Sequence, residues 1–303
     1  MIITVLCGIL LIMILVTIHE MGHLLVARAY GVGVEQFAFG FGPGFKMFTV
    51  KGIPVYFRFI LLGGYVRLKT RGDKTAVSDG KCLEDALWWQ KILIFVAGIG
   101  FNLITAVILR TLMYWFAPAD TQVVILSMKF QFATVATWYL APLYALEAVA
   151  VAFAIYFLAT VAGMGFMFWK TLSGLVVSLW LFITGLFNLA APTINIAPLT
   201  PIPHGGFVGT VGLGANAHFG VWSFIGLLYL VSLLLAALNM APLMPFDGGH
   251  ITVTLVERIF GKNRFSSFVA QAITYVGFII LAVLLLNMLM SDASDLLQFI
   301  NKK

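Results

Sequence analysis

The feature that most constrains this chain is a series of long apolar segments, because about 20 apolar residues suffice to cross a bilayer as a helix. The segments carry few charges, and they lack the every-second-residue alternation of a membrane β-barrel. They predict an all-α polytopic membrane protein with about six transmembrane helices. The six segments are 2–28, 92–116, 143–168, 172–190, 222–245 and 270–290.

The composition excludes two other classes of protein. Of the 303 residues, 61% are hydrophobic and 10% are charged, whereas a soluble domain is about 25% charged. A soluble globular enzyme and a disordered chain are both excluded. The two cysteines, Cys7 and Cys82, are too few and too far apart for a disulfide framework or a cysteine metal site.

The basic residues predict the orientation of the chain. With the N-terminus outside, the segments 28–91, 169–171 and 246–269 become cytoplasmic, and they hold most of the 18 Lys and Arg residues. The net charge of +6 is then explained by topology, and we expect no nucleic-acid partner. The segments 143–168 and 172–190 form either a membrane hairpin or two surface helices, and both options leave the direction of later helices unchanged.

A strand-like segment follows the first apolar segment. Residues 46–69 are rich in β-branched and aromatic residues and are interrupted by Gly and Pro. This pattern predicts a small membrane-associated β-hairpin after the first helix. The alternative is a cytoplasmic amphipathic loop. Residues 191–220, rich in Pro and Gly, predict an outer or re-entrant loop.

The first apolar segment ends in the sequence HEMGH, residues 19–23. His19 and His23 are four residues apart, so they share one helix face and can bind one metal ion. Glu20 lies beside them, where a carboxylate can accept a proton from metal-activated water. At 1.5 Å per residue, the two histidines lie roughly 8 to 14 Å below the inner membrane surface. The alternative is a polar cluster for helix packing, although ionisable groups at this depth are costly.

Asp247 is the candidate for a third ligand. It follows Pro242 and Pro245, which interrupt helical hydrogen bonding, and irregular backbone at membrane depth lines a cavity or is buried in protein. The topology places Asp247 on the same side of the membrane as the two histidines. His204 and His218 fall in the outer loop instead.

These two motifs resemble the site-2 protease family of intramembrane zinc metalloproteases. HEMGH fits its HExxH motif, and its second motif, Asn-x-x-Pro followed by Asp-Gly, fits Asn239, Pro242, Asp247 and Gly248. The resemblance is closest to the bacterial branch that cuts anti-sigma factors. It extends to FGFGP (39–43), LLGGYVRL (61–68), GIGFN (98–102) and GTVGLG (209–214).

The resemblance implies roles for individual residues. It implies that His19, His23 and Asp247 hold Zn²⁺ and that Glu20 is the catalytic base. It further implies a substrate-binding set comprising Asn239, Gly63, Gly64 and Tyr65. The alternative for Asn239 is an interhelical hydrogen bond, and Asn102 matches the family by position only.

The resemblance also implies an organisation and a setting. Residues 1–116 and 205–303 form the two halves of a protease core, and residues 117–204 add hydrophobic segments and an outer loop. The PDZ domains of the anti-sigma-cutting branch do not fit into that apolar interval. The implied substrates are single-span membrane proteins, such as anti-sigma factors or signal-peptide remnants. They would be cleaved in the lipid bilayer of a bacterial inner membrane, near its cytoplasmic face.

Two competing interpretations remain open at this stage. One is a membrane zinc protease with a distant Glu ligand, although no Glu lies suitably in a later apolar segment. The other is a non-enzymatic transporter or channel that uses the polar cluster as an ion site.

Overall fold

The computed structural model describes residues 2–72, 79–118, 122–125, 128–131, 138–158, 160–163 and 221–301. The described chain is mostly helical, with small antiparallel β-structure, as the sequence predicts. Its elements are α1 (Ile2–Ala29), β1 (Val34–Val50), β2 (Ile53–Leu68), α2 (Trp88–Phe116), β3 (Gln122–Ile125), β4 (Met128–Gln131), α3 (Ala141–Gly163), α4 (Val221–Asn239), α5 (Asp247–Phe260) and α6 (Arg264–Asn301).

Four of the described helices are long and apolar enough to cross a membrane. Their apolar parts are Gly8–Ala29, Trp88–Phe116, Ala141–Gly163 and Arg264–Ala282. These helices confirm four of the predicted segments, namely 2–28, 92–116, 143–168 and 270–290. The prediction for 222–245 was too long, because α4 ends at Asn239, before the prolines. The predicted segment 172–190, the loop 191–220 and the GTVGLG motif lie outside the described residues.

Helices α1 and α2 cross in close contact because glycines occupy the crossing. An ideal Cβ on Gly22 would lie 2.5 Å from the carbonyl oxygen of Ala97. An ideal Cβ on Gly98 would lie 2.5 Å from the ring of His23 and 2.7 Å from the ring of His19. Small residues at a helix crossing let two backbones approach this closely. The crossing therefore brings α2 directly against the histidine face of α1.

Two apolar clusters lie on either side of this crossing. One cluster joins α1, α2, α3 and α4, and its buried members include Leu11, Leu15, Ala106, Met113, Val149, Leu230 and Leu233. The other joins the end of α1, the strands and the start of α2, and includes Ala27, Val34, Phe37, Ile53, Val55 and Ile94. The polar residues of the HEMGH motif therefore lie between two apolar layers.

Strands β1 and β2 form the predicted hairpin, which begins earlier than expected, at Val34. Residues 37–39 have partners in both halves of β2, namely Val55–Phe57 and Gly64–Val66. The second half of β2 also contacts α1, since an ideal Cβ on Gly63 would lie 3.7 Å from Cγ1 of Val16. The hairpin is therefore anchored beside the HEMGH motif.

The far part of the hairpin is exposed and rich in large apolar side chains. Residues 41–50 are all exposed, and the exposed fraction of the Phe45 side chain is 54%. The other large apolar residues exposed in this part of the hairpin are Phe41, Met47, Phe48, Val50, Phe59 and Ile60.

Polar contacts fasten the segment between β2 and α2. Arg71 forms an ion pair with Asp85, and its main-chain N–H donates to Oε2 of Glu84 at 3.2 Å. The Asp85 carboxylate raises the pKa of the Arg71 guanidinium, because it stabilises the charged form. This pairing connects the end of the hairpin to the short turn Leu83–Asp85, which precedes α2.

We predict that Gly22→Ala destabilises the protein by about 1–3 kcal/mol, because the added methyl group must push α2 away from α1. Thermal unfolding in detergent micelles measures this effect. Gly100→Ala is the matched control, since an ideal Cβ on Gly100 meets nothing within 4 Å. That change should leave stability unaltered or raise it by up to about 1 kcal/mol. Equal unfolding temperatures for the two variants would contradict the close crossing.

Candidate metal centre

The two histidines of α1 converge on one point. His19 and His23 lie one helical turn apart, and only 5% and 8% of their surfaces are exposed. Their Nε2 atoms are 3.1 Å apart. The HEMGH motif therefore places two imidazole nitrogens at one buried location.

Asp247 joins them from the first turn of α5. Its Oδ2 atom lies 3.0 Å from Nε2 of His19 and 3.3 Å from Nε2 of His23. A compact turn precedes it, because Gly248 and Gly249 pack against the main chain of residues 240–244, where a Cβ would not fit. The structure thus brings together all three residues that the sequence proposes as metal ligands.

The geometry of these three atoms fits a zinc ion. Zinc bonds to nitrogen and oxygen are about 2.0–2.2 Å long in a tetrahedral site, which places neighbouring ligand atoms ~3.3 Å apart. The three observed separations are 3.0, 3.1 and 3.3 Å. Oδ2 of Asp247 is buried and has no hydrogen-bond partner in the described part of the chain. Three buried ligand atoms this close together can share one cation, and a zinc ion held by them would keep a fourth position for water or substrate.

Helix α2 fixes the orientation of His23. Nδ1 of His23 lies 2.7 Å from the main-chain carbonyl oxygen of Ile94. A carbonyl only accepts hydrogen bonds, so Nδ1 carries the proton and donates it. In the neutral imidazole, Nε2 is then unprotonated and directed at the centre, as metal binding requires.

The same helix holds His19 through Asn102. This asparagine is fully buried, and the Nδ2 atom of its side-chain amide lies 3.2 Å from Nδ1 of His19. With the amide turned so that Oδ1 takes the place of Nδ2, Oδ1 accepts a hydrogen bond from the protonated Nδ1 and gains the partner that it otherwise lacks among the described residues. Ser232 of α4 donates to the main-chain oxygen of Asn102 at 2.8 Å, which ties α4 to the same point.

One stripe of α2 therefore supports both histidines. Ile94, Gly98 and Asn102 follow one another at intervals of four residues and lie on one helix face. Ile94 binds His23, Gly98 lies against both rings and Asn102 binds His19. The sequence indicated Asn102 by position alone. It gave no signal for Ile94, whose contribution is a main-chain atom.

Glu20 lies next to the ligand triangle but is not part of it. Its side chain is half-buried, and its Oε2 atom accepts a hydrogen bond from the main-chain N–H of Val66 at 2.9 Å. The carboxylate is therefore held between α1 and β2 through Oε2, and Oε1 makes no hydrogen bond within the described part of the chain. This position suits a proton acceptor beside a metal.

The predicted substrate-binding residues of β2 immediately precede the residue of that strand that contacts Glu20. Gly63 and Gly64 are buried, and Gly63 has a φ angle of +139°, which favours glycine. The hydroxyl of Tyr65 accepts a hydrogen bond from Nε2 of Gln36 at 2.6 Å. All three precede Val66, the residue that contacts Glu20, and their role in substrate binding stays a prediction.

Asn239 makes a different contact from the interhelical bond considered as its alternative role. Its Nδ2 atom donates to the main-chain oxygen of Leu235 at 2.9 Å, one turn earlier in α4. Its side chain is half-buried. Its proposed contact with the substrate backbone also stays a prediction.

An aromatic pair borders the metal centre. The ring of Phe95 stacks on His250 with centroids 4.5 Å apart and an interplanar angle of 6°. The same phenylalanine ring forms a T-shaped pair with His23, with centroids 6.3 Å apart. In the described part of the chain, His19, His23 and Asp247 form the one cluster of His, Cys, Asp or Glu residues that could hold a metal ion. His250 stands outside it.

A bundle of membrane-length helices that encloses an HExxH metal centre defines the class of membrane metalloproteases. The sequence matches the profile of Peptidase family M50 over residues 7–284, nearly the whole chain. The chain therefore belongs to this family, the site-2 protease family. The resemblance drawn from the two motifs is thereby confirmed.

Several similar proteins are named as zinc metalloproteases. One from Chlamydia pneumoniae is 37% identical over 111 residues, which cover 33% of this chain and 18% of the relative. One from Thermotoga maritima is 40% identical over 101 residues, covering 31% and 19%. One from Helicobacter pylori is 33% identical over 123 residues, covering 39% and 34%. The matches thus span about a fifth to a third of these relatives.

We predict that Asn102→Leu lowers zinc affinity by about 10- to 100-fold, because His19 loses the partner that fixes its proton on Nδ1. Asn102→Asp keeps an acceptor at the same place and should retain most of the affinity. Competition with a chelator, followed by measurement of bound zinc, compares the two variants. Equal affinities would show that Asn102 does not orient His19.

Proposed function

We propose that this protein is an intramembrane zinc metalloendopeptidase that hydrolyses peptide bonds within or near the transmembrane segments of membrane proteins. One observation carries the proposal. The ligand atoms of His19, His23 and Asp247 meet at 3.0–3.3 Å inside a bundle of membrane-length helices, with Glu20 alongside. The family and the names of the relatives support the same chemistry.

The proposed mechanism assigns a task to each group of the chain. When bound, zinc supplies Lewis-acid polarisation of the peptide carbonyl and makes a nearby water more acidic. His19, His23 and Asp247 hold the metal. Glu20 accepts the proton of the attacking water and then passes it to the leaving nitrogen. The two apolar clusters around the site limit its access to water, which strengthens electrostatic interactions there.

We predict that Glu20→Gln abolishes cleavage while zinc stays bound, because Glu20 is the proton acceptor and not a ligand. His19→Ala and Asp247→Ala should each lose both zinc and activity, because each removes a ligand. Metal analysis of purified protein, together with co-expression of single-span substrates, measures the two properties separately. Cleavage by the Glu20→Gln variant would refute the assignment, and ion flux without any cleavage would favour a transporter.

The depth of the site supports cleavage inside the membrane. At 1.5 Å per residue, Ile94 and Gly98 lie roughly 9 to 15 Å from the start of α2 at Trp88. That start carries aromatic and basic groups typical of a membrane interface. Trp89 packs on Tyr30 with centroids 5.3 Å apart, and the Arg258 guanidinium lies 5.7 Å from the Trp88 ring centroid. We propose that this end of α2 lies at the cytoplasmic face of a bacterial inner membrane.

Cysteine labelling tests this orientation. In a background without Cys7 and Cys82, Gly72→Cys and Lys262→Cys should react with a membrane-impermeant maleimide only from the cytoplasmic side. Pro118→Cys, just beyond the far end of α2, should react only from outside. The reason is that α2 separates the basic segments from position 118. The reverse pattern would overturn the proposed orientation but leave the zinc chemistry standing.

The proposed substrates are single-span membrane proteins, such as anti-sigma factors or signal-peptide remnants, reached through the lipid bilayer. A helical substrate hides its carbonyl groups in hydrogen bonds, so it must unwind before cleavage. Strand addition to the hairpin would supply replacement main-chain bonds. Residues 55–57 cannot be the receiving edge, because they already pair with 37–39 and with residues of 45–48. The half of β2 with Gly63, Gly64 and Tyr65 is the better candidate, since it continues into the contact with Glu20.

We predict that substrates with two glycines in the transmembrane segment are cleaved faster than substrates with two alanines at the same positions. Each glycine weakens the helix by about 1 kcal/mol relative to alanine, which lowers the cost of unwinding. Initial cleavage rates at equal substrate levels compare the pair. Identical rates across several positions would show that unwinding does not limit cleavage.

A further inference from the structure

The Glu20 carboxylate reaches across to the hairpin. Its Oε2 atom accepts a hydrogen bond of 2.9 Å from the main-chain N–H of Val66, which is 46 residues away in sequence. This bond joins the Glu20 side chain of α1 to the main chain of β2. A glutamate side chain has several rotatable bonds, so a fixed donor on one oxygen restricts where the other oxygen points.

The position of Val66 is set from two sides. Residues 64–66 are in register with residues 37–39 of β1, and the Tyr65 hydroxyl is bound by Gln36 at 2.6 Å. The Tyr65 ring also stacks on Phe41, with centroids 6.0 Å apart. On the other side, Gly63 packs against Val16 of α1. The Val66 N–H is therefore part of a paired strand that packs against the helix carrying Glu20.

A main-chain N–H that binds a carboxylate is a strong and well-oriented donor. Hydrogen bonds to a charged oxygen are roughly twice as strong as those between neutral groups. A catalytic group must also be held within about 0.5 Å of its working position by its surroundings. The Val66 N–H is such a donor, and it has no rotamers of its own, unlike a donor on a side chain.

We propose that the main-chain N–H of Val66 is a positioning group for Glu20. It holds Oε2, so that Oε1 is presented to the water whose proton Glu20 accepts. The inference rests on the proposed function, in which Glu20 is the base. It gives the hairpin a second task, because the strand that would receive substrate also sets the geometry of the base.

Amide hydrogen exchange tests the contact without using activity. In the zinc-loaded full chain labelled with ¹⁵N-valine, Glu20→Ala should speed exchange at Val66 by at least about tenfold, because the amide loses its acceptor. Val55 is the internal control, since it lies buried in the same hairpin and should keep its protection. Unchanged exchange at Val66 would overturn the proposal.

Replacing the Val66 amide by an ester tests the consequence for catalysis. The hydroxy-acid analogue of valine removes the N–H and keeps the side chain. We expect kcat to fall by about 10- to 100-fold, with KM and zinc content unchanged. The matched control is the same replacement at Leu68, which pairs with Val34 and does not contact Glu20. Val66→Pro, which also lacks the N–H, provides a second variant if the ester protein does not fold.

The outcomes separate the inference from the proposed function. An unchanged kcat in the Val66 ester, or a raised KM with kcat retained, would overturn the positioning role. If the zinc-loaded wild type shows no Glu20-dependent cleavage at all, the proposed function fails instead. The exchange experiment still decides whether Val66 holds Glu20 in that case.

Discussion

The close backbone contact between α1 and α2 is the interaction on which the rest of the site depends. Packed helices usually lie 8–10 Å apart, depending on the side chains between them. At Gly22 and Gly98 no side chain intervenes, so a main-chain oxygen of α2 can reach the His23 ring. Larger residues at the crossing would separate the histidines from Ile94 and Asn102. The helix that carries the motif would then present two imidazoles of undefined tautomer.

The charge of the centre also follows from how it is buried. Two neutral imidazoles and the Asp247 carboxylate offer one negative charge to a zinc ion of charge +2, and Glu20 adds a second negative charge nearby. Burying an uncompensated charge is costly, whereas a balanced set is tolerated. Asp247 lies in the first turn of α5, where the positive end of the helix dipole favours a carboxylate. The ligand set therefore suits a location between two apolar layers.

Much of the fold was predictable because membrane helices appear in the sequence as long runs of apolar residues. The same pattern misled at α4, since the residues after Asn239 remain apolar although Pro242 cannot continue the helix. His19, His23 and Asp247 were found because each uses a side chain in a recognisable motif. Ile94 and Val66 were not found, because a carbonyl or an N–H is present at every position and leaves no trace in the residue type. Their importance depends on which residues the fold places opposite them.

The two histidines are held by different kinds of partner, and this difference decides which substitutions around the centre are tolerated. The partner of His23 is a carbonyl that every residue type possesses, so exchange of the Ile94 side chain leaves that hydrogen bond in place as long as the apolar cluster still packs. The partner of His19 is the side chain of Asn102, which a single codon change can remove. Substitutions should therefore be tolerated unequally around the centre. Changes of the residue that supports His23 keep its hydrogen bond, whereas most changes of the residue that supports His19 remove it.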